Sequence, residues 1–133
     1  MMEKKIVMII DDDTDDRFFF KEALTEMPSS IECLEAKGSR EAFELLRRAE
    51  KLPDFIFLDI NMPIMDGREC LKELKKDADL KSIPVIMYST SFTDKSIAEF
   101  RALGAYHYLN KPTDVNKLSE QILEAIKKPM ILS

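Results

Sequence analysis

Short apolar runs alternate with longer amphipathic stretches along the whole chain. Runs at about 5–10, 54–58, 83–87 and 105–109, with a weaker one at 31–35, predict five strands. The stretches between them predict helices near 15–27, 39–50 and 66–76, a fourth capped by Thr93 or Asp94 and ending before Gly104, and a fifth capped by Thr113 or Asp114 and running to about 127. Pro28 closes the first helix, Gly38-Ser39 starts the second, and Pro84 sets where the fourth strand begins. The first, third and fourth strands are almost wholly apolar, which suits a parallel sheet covered by helices on both faces. Ile31-Glu32-Cys33-Leu34-Glu35 alternates in part and suits an edge. Right-handed crossovers then give one doubly wound α/β domain over residues 1–133, with five parallel strands, five helices and no repeat or linker. The order 2-1-3-4-5 brings the ends of strands one and three together; the alternation supports this order without forcing it.

Four of the apolar runs end in polar residues of related chemistry: Asp11-Asp12-Asp13, Asp59, Ser89-Thr90 and Asn110-Lys111-Pro112. In one parallel sheet these ends share an edge, where open α/β sheets bind their ligands. Carboxylates at 11, 12 and 59 repel one another unless a cation lies between them, and hard oxygen donors suit Mg²⁺. Lys111 can pair with a phosphate or with Asp59, and the Ser89 hydroxyl can donate to a phosphate oxygen. A carboxylate that attacks phosphorus becomes an acyl phosphate, a reaction this set of groups is able to support.

Composition narrows the field. The 133 residues carry a formal charge of −5, which argues against nucleic acid as the main partner. Part of that charge is local, since five of the six residues from Asp11 to Asp16 are Asp. Cys33 and Cys70 have no metal-type spacing and lie in apolar-patterned segments, so both are expected as buried free thiols. The first apolar run is too short for a secretory leader or a membrane span, and a cytoplasmic protein is the simplest expectation.

The chain closely resembles the receiver domains of two-component response regulators. The matching segments are Ile9-Ile10-Asp11-Asp12-Asp13, Leu58-Asp59-Ile60-Asn61-Met62-Pro63 through Asp66-Gly67, then Ser89, then Lys111-Pro112. The resemblance implies the 2-1-3-4-5 order and makes Asp59 the phosphoacceptor. It implies Mg²⁺ on Asp12, Asp59 and the Asn61 backbone carbonyl, with Asp11 acting mostly through water. Ser89 and Lys111 would contact the phosphoryl oxygens, and the Lys111–Pro112 peptide would be cis. Asn61 and Ser91 match positions that modulate dephosphorylation, and Ser89 with Tyr108 match the family's switch pair. The donor would be a histidine kinase or histidine phosphotransfer protein, and an unknown protein would read the face formed by helix four, strand five and helix five. The chain is expected to be a stand-alone receiver without an output domain and not a turnover enzyme. Ser89 stands where Thr is more frequent in the family, and Thr90 where a small residue is usual.

Phe18-Phe19-Phe20 cannot all face one core, because successive helical residues fan by about 100°. Phe20 is in phase with Ala23, Leu24 and Met27, so Phe18 or Phe19 is expected partly exposed, as a kinase-docking contact or as packing against a neighbouring helix. Asp11-Asp12-Asp13-Thr14 also fits the nucleophile signature of haloacid-dehalogenase-like phosphatases, with Asp11 attacking and Asp13 as the acid, but that reading leaves Asp59 and its Asn-Met-Pro loop unexplained. Asp11, Asp13, Asp15 and Glu22 fit a calcium-loop spacing, yet Asp16 occupies its glycine position. Asp13, Asp15 and Asp16 are expected to cap the first helix or favour its dipole rather than bind metal. His107 and Tyr106 are expected as structural residues, and Met62, Met65 and Met87 as core or loop filler.

Overall fold

The computed structural model describes residues 5–27 and 30–127. Its elements alternate as β1 (Lys5–Ile10), α1 (Thr14–Leu24), β2 (Ile31–Ala36), α2 (Ser39–Arg48), β3 (Phe55–Asp59), α3 (Gly67–Lys76), β4 (Val85–Ser89), α4 (Asp94–Ala102), β5 (His107–Asn110), a 3₁₀ turn (Val115–Lys117) and α5 (Leu118–Lys127). All neighbouring strands are parallel, in the expected order β2-β1-β3-β4-β5.

Period-two alternation divides each apolar strand between two cores. Val7 and Ile9, Phe57, and Ile86 and Tyr88 face α1 and α5, where they meet Phe20, Ala23, Leu24, Leu118, Ile122 and Ala125. Met8 and Ile10, Ile56 and Leu58, and Val85 and Met87 face the other layer, with Phe43, Leu46, Cys70, Leu71, Leu74 and Phe100. Burial on both faces is why these strands carry no polar alternation. Among the described residues, no helix is long and apolar enough to cross a membrane.

Local chemistry sets the helix starts. Asp13 caps α1 by accepting from the Asp16 amide, and Asp66 caps α3 by accepting from Glu69. Of the two candidates for α4, Thr93 is the cap, in a reciprocal box with Ser96. Asp114 caps the 3₁₀ turn that leads into α5.

Several boundaries shift. α1 ends at Leu24, three residues before the expected end, because the Thr25 amide and hydroxyl both turn back onto the Glu22 carbonyl. The closing role expected of Pro28 lies outside the described residues. β4 starts at Val85, since Ile83 is spent in a turn that bonds back to Leu80. β5 starts at His107, because Ala105 bonds back to Phe100 and closes α4. Cys33 and Cys70 are both free; Cys70 is buried as expected, but Cys33 is only half-buried on the edge strand.

Candidate functional site

The ends of β1 and β3 are adjacent in the sheet, and Asp11 and Asp59 are both buried there. Asp11 is pinned through its backbone, its amide bonding to the Ala36 carbonyl and its own carbonyl accepting from Arg17 Nη1 at 2.7 Å. Its Oδ1 accepts from the Asp13 amide. Asp12 is exposed at the rim. One carboxylate oxygen from each of Asp11, Asp12 and Asp59 falls within 4.8 Å of the others.

Lys111 arrives from the far side of the sheet. Its amide bonds to the Ser89 carbonyl at 2.7 Å, extending the β4–β5 pairing by one residue and aligning its stem over Tyr88. The ammonium lies 5.1 Å from the Tyr88 ring centroid. It donates to Asp11 Oδ2 at 2.8 Å, to Asp16 Oδ2 at 2.8 Å, and more loosely to Asp59 Oδ1 at 3.4 Å.

One cation among so many carboxylates leaves negative charge uncompensated. Burial, and then the charge of Asp11, push the Asp59 carboxyl up to about 6 against the pull of Lys111. Burial also raises Asp11, opposed by its hydrogen bond from Lys111. Burial alone would lower the Lys111 ammonium, but its bonds to Asp11 and Asp16 outweigh that and raise it, so it stays charged. A compact set of hard oxygen donors with excess negative charge fits a divalent cation such as Mg²⁺.

The β3–α3 loop frames the pocket. Asn61 is exposed in it, and Met62 is buried and anchors it. Ile64 holds a left-handed φ of 70° inside a tight turn closed by the Met65 amide on the Pro63 carbonyl. Gly67 returns the chain so closely that a Cβ there would collide with the Asp59 carbonyl and Ile60 Cα. This is why α3 begins with glycine rather than a better helix former.

Asp11, Asp12, Asp59 and Lys111 are thus brought together as expected. Ser89 is buried at the end of β4, its Oγ exchanging hydrogen bonds with the Ser91 backbone. Ser91 itself is exposed in the following loop. Tyr108 is half-buried with its ring 5.2 Å from Phe92. Phe18 and Phe19 are 53% and 40% exposed while Phe20 is fully buried, as the helical phase requires. Thr90 is exposed. The Lys111–Pro112 peptide is trans, correcting the cis bond implied by resemblance. The two isomers before proline differ by only about 0.5–1 kcal/mol, so the residue pair alone does not decide between them.

Three contributors escaped the sequence reading. Asp16, expected only to serve the helix terminus, is a partner of Lys111. Arg17 holds the Asp11 carbonyl, and Tyr88 lies beneath the ammonium. A signal existed for two of them: Asp16 and Arg17 precede Phe20 by four and three positions, hence share its inward side.

A family model described as the response regulator receiver domain matches residues 7–123. The chain belongs to that family. It is a phosphoacceptor domain of phosphorelay signalling, and receivers bind Mg²⁺ through an aspartate cluster of this kind. Response regulator Rcp1 of Synechocystis is 28% identical over 89% of this chain and 84% of its own length. A sensor histidine kinase, CheAY of Helicobacter pylori, is 33% identical over 92% of the chain, which spans only 15% of that protein. The transcriptional regulator NtrC of Escherichia coli is 32% identical over 94% of this chain and 25% of its own length. The chain therefore spans a minor part of several curated relatives. Among solved structures, the phosphorylated cyanobacterial phytochrome response regulator RcpA superposes with a TM-score of 0.82 at 32% identity, covering 94% of this chain and 92% of that one. The Mn²⁺-bound form of Rcp1 does so at 0.80 and 27%, covering 96% and 97%. The phosphatase reading falls with this membership, and Asp13, its supposed acid, is occupied as the α1 cap.

Proposed function

We propose that Asp59 of this receiver accepts a phosphoryl group, in the cytoplasm, from the phosphohistidine of a kinase or phosphotransfer protein. The observation that carries this reading is that Asp59 is buried at the end of the middle strand β3, belongs to the three-carboxylate group and meets Lys111 only loosely at 3.4 Å, whereas Asp11 has one oxygen held by the Asp13 amide and the other by Lys111 at 2.8 Å. A carboxylate oxygen of Asp59 attacks phosphorus, a P–O bond forms as the P–N bond breaks, and the imidazole leaves with the electron pair. Lys111 donates to a phosphoryl oxygen, offsetting charge, and the Ser89 hydroxyl turns from the Ser91 carbonyl to another. Asp11, Asp12, Asp59 and the Asn61 carbonyl would hold Mg²⁺, which when bound neutralises charge on the phosphoryl oxygens.

Rotation of Ser89 frees space toward β5, and Tyr108 leaves Phe92 to follow it, changing the α4–β5–α5 face for a downstream protein. Asn61 and Ser91, exposed at the rim, set how readily water reaches the acyl phosphate. The chain acts as an acceptor that discharges, not as a turnover enzyme. Phe18 and Phe19, exposed on α1 beside the pocket, form the donor's docking contact. Loss of transfer from the cognate donor in Phe19→Ala, with small-donor phosphorylation intact, would support that contact; unchanged transfer would remove it.

The test of the central claim is intact mass after incubation with acetyl phosphate, with and without Mg²⁺. Wild type should gain one labile phosphoryl group only with the metal, and Asp59→Asn should gain none. An adduct that persists in Asp59→Asn, or none in wild type, would refute it.

A further inference from the structure

We infer that Asp16 is a positioning residue that draws Lys111 toward α1 and away from the phosphoacceptor. This rests on the reading of Asp59 given above. An ammonium has three hydrogens to donate, and here all three are directed at carboxylates. The three contacts are unequal: Asp11 and Asp16 are both at 2.8 Å, whereas Asp59 is at 3.4 Å. Two of these partners, Asp11 and Asp59, belong to the group able to share a cation, and Asp16 does not. Cation binding therefore relaxes two of the pulls on Lys111 and leaves the third in place.

The position of Asp16 makes this hold specific. Its backbone amide is fixed by the Asp13 cap, so the first turn of α1 presents its carboxylate to the pocket. The side chain of Lys111 is 11% exposed and that of Asp16 35%, so the pair is partly shielded from water. A phosphoryl oxygen on Asp59 gains a full hydrogen bond from Lys111 only as the ammonium moves off Asp16. Asp16 thereby slows phosphoryl uptake, acting as a restraint outside the three-carboxylate group.

Asp16→Asn removes the charge and keeps the backbone cap. Asp15→Asn is the control, since it removes the same charge one residue away on an exposed side chain that makes no contact with Lys111. In a crystal structure of metal-free Asp16→Asn, the Lys111–Asp59 distance should contract from 3.4 Å toward the 2.8 Å seen for Asp11. Initial phosphorylation by acetyl phosphate with Mg²⁺ should rise about three- to fivefold, the scale of a half-exposed ion pair, with Asp15→Asn unchanged. An unshortened distance, an equal or slower rate, or an equal gain in Asp15→Asn would overturn the inference. If wild type takes up no phosphoryl group, the function proposed for Asp59 fails, while the crystallographic distance still judges Asp16.

Discussion

Two charge clusters flank the start of α1, and they are built in opposite senses. On the β2 side one carboxylate serves two cations: Glu35 accepts from Arg17 Nε at 3.3 Å and from Lys21 Nζ at 2.8 Å. On the β5 side one cation serves three carboxylates, Lys111 between Asp11, Asp16 and Asp59. The hydrogen bond from Lys21, helped by Arg17, holds the Glu35 carboxyl below its ordinary range, whereas burial drives Asp59 up to about 6. The first cluster is electrostatically satisfied as it stands. The second is short of positive charge, and this deficit suits it to a cation. Arg17 joins the two, giving one hydrogen bond to Glu35 and another to the Asp11 carbonyl.

Lys111→Ala should break the contrast most severely. It strips the Lys111 ammonium from two buried carboxylates and should cost about 3–5 kcal/mol in urea unfolding at pH 7 without metal. Added Mg²⁺ should restore part of that loss. Asp59→Asn should act in the opposite direction, stabilising the metal-free protein by about 2–3 kcal/mol at pH 7. The sign follows from linkage: the Asp59 pKa in the fold, about 6, lies above its ordinary 3.8. Its ionisation therefore opposes folding, and the favourable contribution present below the ordinary value is lost as pH rises through 6. The advantage of Asp59→Asn should accordingly shrink as pH falls from 7 toward 4. Metal uptake by wild type should weaken over the same interval, measurable by Mg²⁺ titration.

Arg17→Met is the next test. It removes a buried hydrogen bond to the Asp11 carbonyl and a partly buried one to Glu35 while keeping much of the side-chain volume, and should cost about 1–3 kcal/mol by the same unfolding assay. Because Arg17 also pins Asp11, Mg²⁺ affinity should fall with it. Lys21→Ala should have the smallest effect, barely measurable in unfolding, since its ammonium is well exposed. Glu35 has a lowered pKa, so its contribution is present above its ordinary 4.5 and lost as pH falls. The two clusters should thus respond to acid in opposite directions, and a shared direction would show that they are not built in opposite senses.

Much of this arrangement is already written along the chain. Unbroken apolar runs ending in Asp11, Asp59 and Ser89 identify buried parallel strands, and with the run before Asn110-Lys111 they mark the edge at which the chemistry gathers. Phe20 could be separated from Phe18 and Phe19 because helical phase is a local geometric constraint. Boundaries were less legible, since Ile83 and Ala105 are apolar yet bond back to Leu80 and Phe100 in turns. Asp16 was assigned only to the helix terminus, because the dipole it also favours is a local effect and its lysine lies 95 residues away.

By itself, then, the order of residues determined the β-α alternation, the two buried faces of each central strand and the set of groups destined for one sheet edge. Those outcomes depend on periodicity and on burial of apolar area, which neighbouring residues decide together. Only the tertiary structure decided that Lys111 is divided unequally among three acids, that Arg17 braces Asp11, that Gly67 must let the backbone pass Asp59, and that Lys111–Pro112 is trans. These depend on distances between segments far apart in the chain. Electrostatic energy and steric contact change steeply over a few tenths of an ångström, and no local pattern encodes such distances.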